Sequence, residues 1–287
     1  MLPPVFGVLF DGLAYGMLLF LLSVGQSVTL GMMNFINLAH CSFAMLGGYV
    51  TATLMNRYGW PFFATLPCAF IGAAVVSVAF ERTLFRRLYR AGELDQVLLT
   101  IGIVFISVAV AAYIFSTDQQ PLQLPPYLRT SFTFMGIRFA AYRLILIALA
   151  LAITVALVLG IEYTRFGAKV RAAVDNERMA RGLGIDVGRT FAITFALGSG
   201  LAGLGGALAI EIVGLDPSFA LTYLIYVLIV VSVGGLGSIW GSFAAAMLLG
   251  ISDVAGKYYV PATGAFLIYL VMIVLLMWRP SGLFGKR

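Results

Sequence analysis

Charge is the first thing this sequence is short of. Asp, Glu, Lys and Arg make up 10% of its 287 residues, where soluble domains carry about a quarter. So few polar groups do not cover a globular surface, whereas lipid requires no polar coat, so a soluble protein is excluded and the solvent is mostly bilayer. Histidine occurs once, at His40, and cysteine twice, at Cys41 and Cys68, both inside apolar stretches. A single histidine excludes a histidine metal cluster. Two apolar cysteines read as packing residues rather than a disulfide or a metal site. Paired intramembrane carboxylates, the mark of proton or ion coupling, are also missing; Asp11, Glu211, Asp216 and Asp253 are isolated and fall at span ends, where a hydrated interface is expected. No catalytic residue, metal or cofactor is expected, and the chain does not read as an enzyme. The formal charge of +6 has no soluble basic face on which to track phosphates, so no nucleic-acid partner is expected either.

What the sequence has is apolar length. Hydrophobic residues make up 61% and the mean hydropathy is +1.02. Windows near the length of about 20 residues that crosses hydrocarbon run over 5–30, 38–55, 61–80, 97–115, 140–161, 191–213 and 266–278, the last starting near Val260. Met1 to Gly7 has neither a basic n-region nor a small-residue cleavage pattern, so the first window is expected to stay as a span. The stretch Leu221 to Ile251 is broken by Gly234, Gly235, Gly237 and Gly241 and reads as two short helical pieces. The fold class is thus all-α, a polytopic transmembrane bundle of about eight membrane segments including that glycine-broken pair. No repeat or low-complexity tract divides it, and 1–287 reads as one membrane domain.

Basic residues orient it. Thirteen of the 18 Lys and Arg fall in Glu81–Asp95, in 162–189 and in the tail from Arg279, and cytoplasmic loops are enriched in them. All three segments are therefore placed inside, with the C-terminus cytoplasmic and the loop holding Pro121, Pro125 and Pro126 outside. Parity then makes the Leu221–Ile251 pair enter and leave on the outer side. Pieces of about 15 residues are short for full spans at about 1.5 Å per residue, so a hairpin reaching partway is expected. The same count puts the N-terminus outside.

Three features stand out against this background. Segment 162–189 holds 10 of the chain's 30 charged residues, six basic and four acidic, a balance unlike a strongly basic surface tether. Its pattern predicts a short helix, a turn capped by Asp175 or Asn176 and a second short helix, with Gly182 and Gly184 as stops. A solvated loop has no reason to keep Ala172, Ala173, Val174, Met179 and Ala180 among its charges, whereas a helix docking on a cytoplasmic protein does. The second feature is the glycine cluster Gly198, Gly200, Gly203, Gly205 and Gly206 in one span; Ser199 to Gly203 and Ala202 to Gly206 place small residues on one face for close helix packing. No strand precedes it and no Lys-Ser or Lys-Thr follows, so the chain is not expected to bind ATP itself. The third is Asn34, Asn37 and His40, three apart, with Gln26 upstream. Such side chains either join helices or line a solute path, and the residues leave that choice open.

Together these pieces resemble the permease of the high-affinity branched-chain amino acid ABC importers, the shorter of its two related types. The resemblance rests on Asn34-Phe35-Ile36-Asn37-Leu38-Ala39-His40, Glu81-Arg82 with Arg86 and Arg87, Thr100-Ile101-Gly102-Ile103, and Arg165-Phe166-Gly167-Ala168-Lys169-Val170-Arg171-Ala172 followed by Gly184-Ile185. Further on it takes in Asp216-Pro217, Gly234-Gly235-Leu236-Gly237-Ser238 with Gly241, and Arg279-Pro280-Ser281-Gly282-Leu283-Phe284-Gly285. It implies a bacterial-type, multi-pass protein of the inner membrane working with a second permease, related or identical, two cytoplasmic ATPase subunits and an extracytoplasmic solute-binding protein that delivers an amino acid. It further implies that 165–185, with Arg165, Gly167, Gly184 and Ile185 among its matching residues, is the segment that couples to the ATPase. Within it Arg171, Asp175, Asn176 and Arg178 are the contacts expected here, with Ala172 and Ala180 allowing close approach. The family often has Gly after the histidine, where this chain has Cys41, and a Gly-Leu-Lys run before the glycine-rich hairpin, where it reads Leu221, Thr222, Tyr223, Leu224. Gln26, Asn34, Asn37 and His40 are the candidate substrate pathway. The alternative is an ATP-independent carrier or channel for a small polar solute, in which Asn34, Asn37 and His40 line the route and the charged loop is merely solvated.

Overall fold

The computed structural model describes residues 5–33, 35–89, 91–122, 124–134 and 137–285. In chain order the helices are α1 (Val5–Met33), α2 (His40–Tyr58), α3 (Phe62–Phe80), a π-helical turn at Glu81–Phe85, α4 (Arg86–Leu88), α5 (Glu93–Phe115) and α6 (Pro126–Arg129). A short antiparallel hairpin, β1 (Ser131–Phe134) with β2 (Ile137–Ala140), leads into α7 (Ala141–Glu162). Then come α8 (Arg165–Asp175), α9 (Glu177–Gly182), α10 (Val187–Val213), α11 (Phe219–Gly234), α12 (Ile239–Tyr259) and, after a 3₁₀ turn, α13 (Leu267–Trp278). Six of these helices are long and apolar enough to cross a membrane. Each satisfies its own backbone groups internally, which is what lets so apolar a chain sit in lipid.

The centre is α1 and α10. Each is apolar nearly all round, as a helix buried in a bundle must be; they pack on each other, with α12, α7 and α11 against α1 and with α2 and α3 against α10. α1 ends at Met33, but α2 begins beside the middle of α1, its His40 Nε2 3.0 Å from the Leu22 carbonyl oxygen. Eleven residues of helix, about 16 Å, separate that level from the end of α1, and the chain regains it through the non-helical stretch around Phe35–Asn37. Gln96 holds this return in place, its Oε1 accepting from Ile36 N at 3.0 Å while its Nε2 donates to the Leu88 carbonyl at 3.2 Å. Phe35 is packed against Phe85, Tyr89 and Phe195, with ring centroids 5.3, 5.5 and 6.4 Å apart.

The charge-rich segments share one end of the bundle. Arg86 from the first of them packs against Gly188 at the start of α10, and the tail closes on the α11–α12 turn, Leu283 N donating to the Val233 carbonyl at 2.7 Å and Phe284 N to that of Gly234 at 3.1 Å. At the opposite end Asn56 Nδ2 donates to the Pro121 carbonyl at 2.8 Å and Gln120 N to that of Leu215 at 2.8 Å.

The glycine-broken pair differs from expectation. α11 has 16 residues, close to the short piece expected, but α12 has 21 and runs beside most of α1. Gly237 lies against Gly31, Ser242 shares a hydroxyl hydrogen bond with Ser27, and Gly250 packs on Gly16. The pair thus reaches the basic end of the bundle rather than stopping partway. Gly241 does not break the helix, because it sits in the first turn, where its N–H meets the Ser238 Oγ cap at 2.9 Å. Beyond Ile251 the helix continues through two charges because Asp253 and Lys257 pair one turn apart, 2.6 Å between Oδ2 and Nζ. The last span starts later than Val260, at Gly264, since Pro261 and a turn intervene.

Candidate docking segment and polar core

Segment 162–189 is a chain of helix caps. Thr164 Oγ1 accepts from Gly167 N at 3.3 Å and starts α8; Asn176 ends α8 and starts α9, its Oδ1 accepting from Met179 N at 3.0 Å; Asp186 Oδ1 accepts from Arg189 N at 2.9 Å and starts α10. Each side chain satisfies a backbone donor that the helix start leaves open. Gly184 takes φ +80°, the left-handed turn out of α9. Gly167 lets α8 fold back on α7: a β-carbon there would lie 2.6 Å from the Ile161 carbonyl carbon. Replacing Gly167 by valine is expected to destabilise the fold by about 1–3 kcal/mol, read as a lowered melting temperature in detergent.

This helix–turn–helix has two faces. Val170, Ala173 and Ala180 are buried, Ala173 and Ala180 packing with Val187, Ile185 and Phe191. The other face is open and carries Arg165, Asp175, Asn176 and Arg178 together with apolar Met179 and Leu183, which are 69% and 81% exposed, while Val174 lines a recess with Ala173, Arg86 and Val187. Two residues differ from their expected setting. Ala180 holds α9 onto this chain instead of facing outward, because it lies on the same side as Val187. Arg171 is exposed, but its guanidinium donates to the carbonyls of Ile161 and Glu162 at the end of α7, the negative end of that helix.

Gln26, Asn37 and His40 are all buried, at 1% exposure or less. Asn34 lies outside the described residues. His40 Nε2 meets Leu22 O, the carbonyl whose helical partner is the N–H of Gln26, so the imidazole sits one turn from Gln26 along α1. Both amide atoms of Gln26, both of Asn37 and His40 Nδ1 have no hydrogen-bond partner among the described residues. Leaving a buried donor or acceptor unpaired costs about 1–3 kcal/mol, so each of these five atoms is a place where a further hydrogen bond would be stabilising. Donors and acceptors without fixed charge suit a small polar solute or water.

Asp253 corrects another expectation. It is 1% exposed, inside the bundle rather than at a hydrated span end, and among the described residues Oδ1 has no hydrogen-bond partner while Oδ2 meets Lys257. Lys257 also lies over the Tyr15 ring, 5.7 Å from its centroid. Lys257→Met is therefore expected to destabilise the protein by about 2 kcal/mol or more, since it strands a buried charge, and adding Asp253→Asn should recover most of the loss in a thermal melt.

Against known proteins, residues 8–276 match the family model described as branched-chain amino acid transport system, permease component. The chain belongs to this family. The permease is 27% identical to the probable branched-chain amino acid transport permease protein LivH of Methanocaldococcus jannaschii, over 97% of this chain and 92% of that one. It is 26% identical to the high-affinity branched-chain amino acid transport system permease protein BraD of Pseudomonas aeruginosa, over 97% and 95%. To LivM of Escherichia coli, the longer type, it is 26% identical over 93% of this chain but 68% of that protein. No solved structure matches. The family is one of transport permeases rather than enzymes, and this permease is a multi-pass membrane protein.

Small residues of the permease lie where its helices approach most closely. Gly203 faces α3, where a β-carbon would lie 2.5 Å from the Ala73 β-carbon, and Gly206 faces α2. Gly234 and Gly241 lie against each other, and Gly235 and Gly237 take φ of +95° and +78° in the turn that meets the tail and α1. Sequence reasoning missed Leu183 as an outward residue. Its signal was present, a leucine between two glycines in a charged loop.

Proposed function

We propose that this permease is the membrane subunit of an ABC importer that carries branched-chain or related small amino acids inward. An extracytoplasmic binding protein delivers the solute, a second permease of related or identical sequence completes the pathway, and two cytoplasmic ATPases drive it. The basic end of the bundle is cytoplasmic, in line with the enrichment of Lys and Arg in inner loops. The observation that carries the reading is the helix–turn–helix 165–182, capped at each joint, fixed to α7 and α10 on one face and open on the other. A segment held this rigidly transmits a push from a docked ATPase into α10, which packs on α1, α2 and α3. Family membership supports the solute class, the relatives being named for branched-chain amino acids.

Gln26, Asn37 and His40 are proposed to line the solute route. Gln26→Leu is then expected to leave the melting temperature unchanged or raised, because it removes two unpaired buried atoms, while uptake falls. A lowered melting temperature with intact uptake would instead make Gln26 a structural residue. The deciding experiment reconstitutes the permease with its partner subunits in vesicles and follows labelled leucine with the binding protein present. Uptake that requires ATP and both ATPases is expected. Uptake by this chain alone, without any ATPase, would overturn the proposal in favour of a carrier or channel.

A further inference from the structure

Arg82, Arg86 and Arg189 have no ion-pair partner among the described residues, and they converge. All three line a recess of about 420 Å³ at the basic end, with Gly188 at its wall. Two carboxylates share that recess and offset part of its charge: Asp186 caps Arg189 N, and Glu81 Oε1 accepts from the Tyr89 hydroxyl at 3.0 Å while Arg86 and Arg82 act on its charge, so three guanidinium groups face two carboxylates. Burial, and then the charge of Glu81, push the Tyr89 phenol up from its ordinary value, so it stays protonated as that donor. Gly188 and Arg189 also belong to the first turn of the 27-residue α10, whose positive end favours an anion.

From this recess a second cavity of about 280 Å³ continues between α3 and α10, sharing Arg82, Arg189 and Ala192 with the first. Its α3 wall is Phe70, Ala74 and Val78, which with Arg82 recur every four residues and so form one helix face. Its α10 wall is Ile193, Ala196 and Leu197. Alanines on both helices open the groove, and Ile193 and Leu197 are exposed along it. Phe70 to Arg82 spans about 18 Å, close to one leaflet of a hydrocarbon core about 30 Å thick.

We propose that this combined site holds one anionic phospholipid, its phosphate among Arg82, Arg86 and Arg189 and an acyl chain in the α3–α10 groove. The guanidinium groups select against a neutral headgroup. The groove selects against a soluble anion, which has nothing to place there. A lipid seated here ties α3 to the start of α10, the helix that continues from the docking segment. The site requires only that the chain spans a membrane, so it stands or falls independently of the transported solute.

The test is native mass spectrometry of the full chain in detergent with equal phosphatidylglycerol and phosphatidylcholine. Preferential retention of phosphatidylglycerol, about tenfold or more, is expected for three guanidinium groups. Arg82→Gln with Arg189→Gln should remove the preference, whereas Arg57→Gln at the opposite end should not. Ala196→Phe, which fills the groove and keeps the arginines, should also lose the lipid, and inorganic phosphate should not compete for the site in the unaltered chain. Equal retention of both lipids, the same loss in Arg57→Gln, or full retention by Ala196→Phe would each overturn the proposal. Because Arg82, Arg189 and Arg57 are all exposed, the glutamine variants keep the test readable even where Ala196→Phe disturbs packing.

Discussion

Gly206→Leu is expected to abolish accumulation of folded permease, while Gly102→Leu leaves it intact. At Gly206 a β-carbon would lie 2.5 Å from the Ala44 carbonyl carbon and nearer still to its oxygen, both backbone atoms of α2. No rotamer relieves such a clash, so the helices must separate. α2 and α10 meet again where Gly47 lies against Gly203, and Gly203 in turn abuts Ala69 and Ala73 of α3. Forcing one crossing apart therefore loosens three helices. In lipid the loss falls on van der Waals packing, the main force between apolar helices there, and a cost of about 3 kcal/mol or more is expected, at the upper end for overpacking. Gly102, by contrast, has nothing within 4 Å of its would-be β-carbon, and leucine there adds only helix propensity. Size-exclusion profiles and thermal melts of the two variants in detergent check the contrast, and equal behaviour would refute it.

Met179→Glu with Leu183→Asp is expected to leave folding untouched and to eliminate ATP-dependent uptake. Both side chains stand in solvent on the open face of the helix–turn–helix. An apolar group that becomes enclosed by a partner often carries about 2 kcal/mol or more of the binding energy, about 30-fold in affinity, and a carboxylate in its place adds desolvation. Co-purification of the ATPase should fall by at least that factor. Arg171→Ala is expected to act differently. Its guanidinium holds the end of α7, so a lower melting temperature should accompany any loss of coupling. If Met179→Glu with Leu183→Asp retains the ATPase fully, docking does not use this face.

Much of this was legible along the chain. Scarce charge and long apolar windows required a helical bundle, because only internally hydrogen-bonded helices suit a chain of this composition in lipid. Clustered Lys and Arg grouped the loops, and the three groups do share one end of the structure. Asn176 could be read as a cap and Gly184 as a stop because both act through local backbone geometry. Less legible were features that depend on what lies across the bundle. The apolar window ended at Ile251, yet Asp253 and Lys257 beyond it pair along one helix face and the helix continues to Tyr259. Ala180 and Leu183 are three residues apart in a loop of mixed charge; which of them faces α10 follows from how α9 seats on Val187.

The sequence by itself determined the solvent, the class of fold, the grouping of the charged loops and the presence of a capped helix–turn–helix. These rest on composition and on interactions spanning a few residues, which the linear order contains. Tertiary structure decided that α12 runs beside most of α1, that Asp253 is buried, that Gln26, Asn37 and His40 are buried with side-chain atoms unpaired among the described residues, and that Arg82, Arg86 and Arg189 meet at the head of an apolar groove. Those facts arise where helices distant in sequence approach closely enough for small residues to interlock, and the geometry of that approach is set by all the helices packing at once.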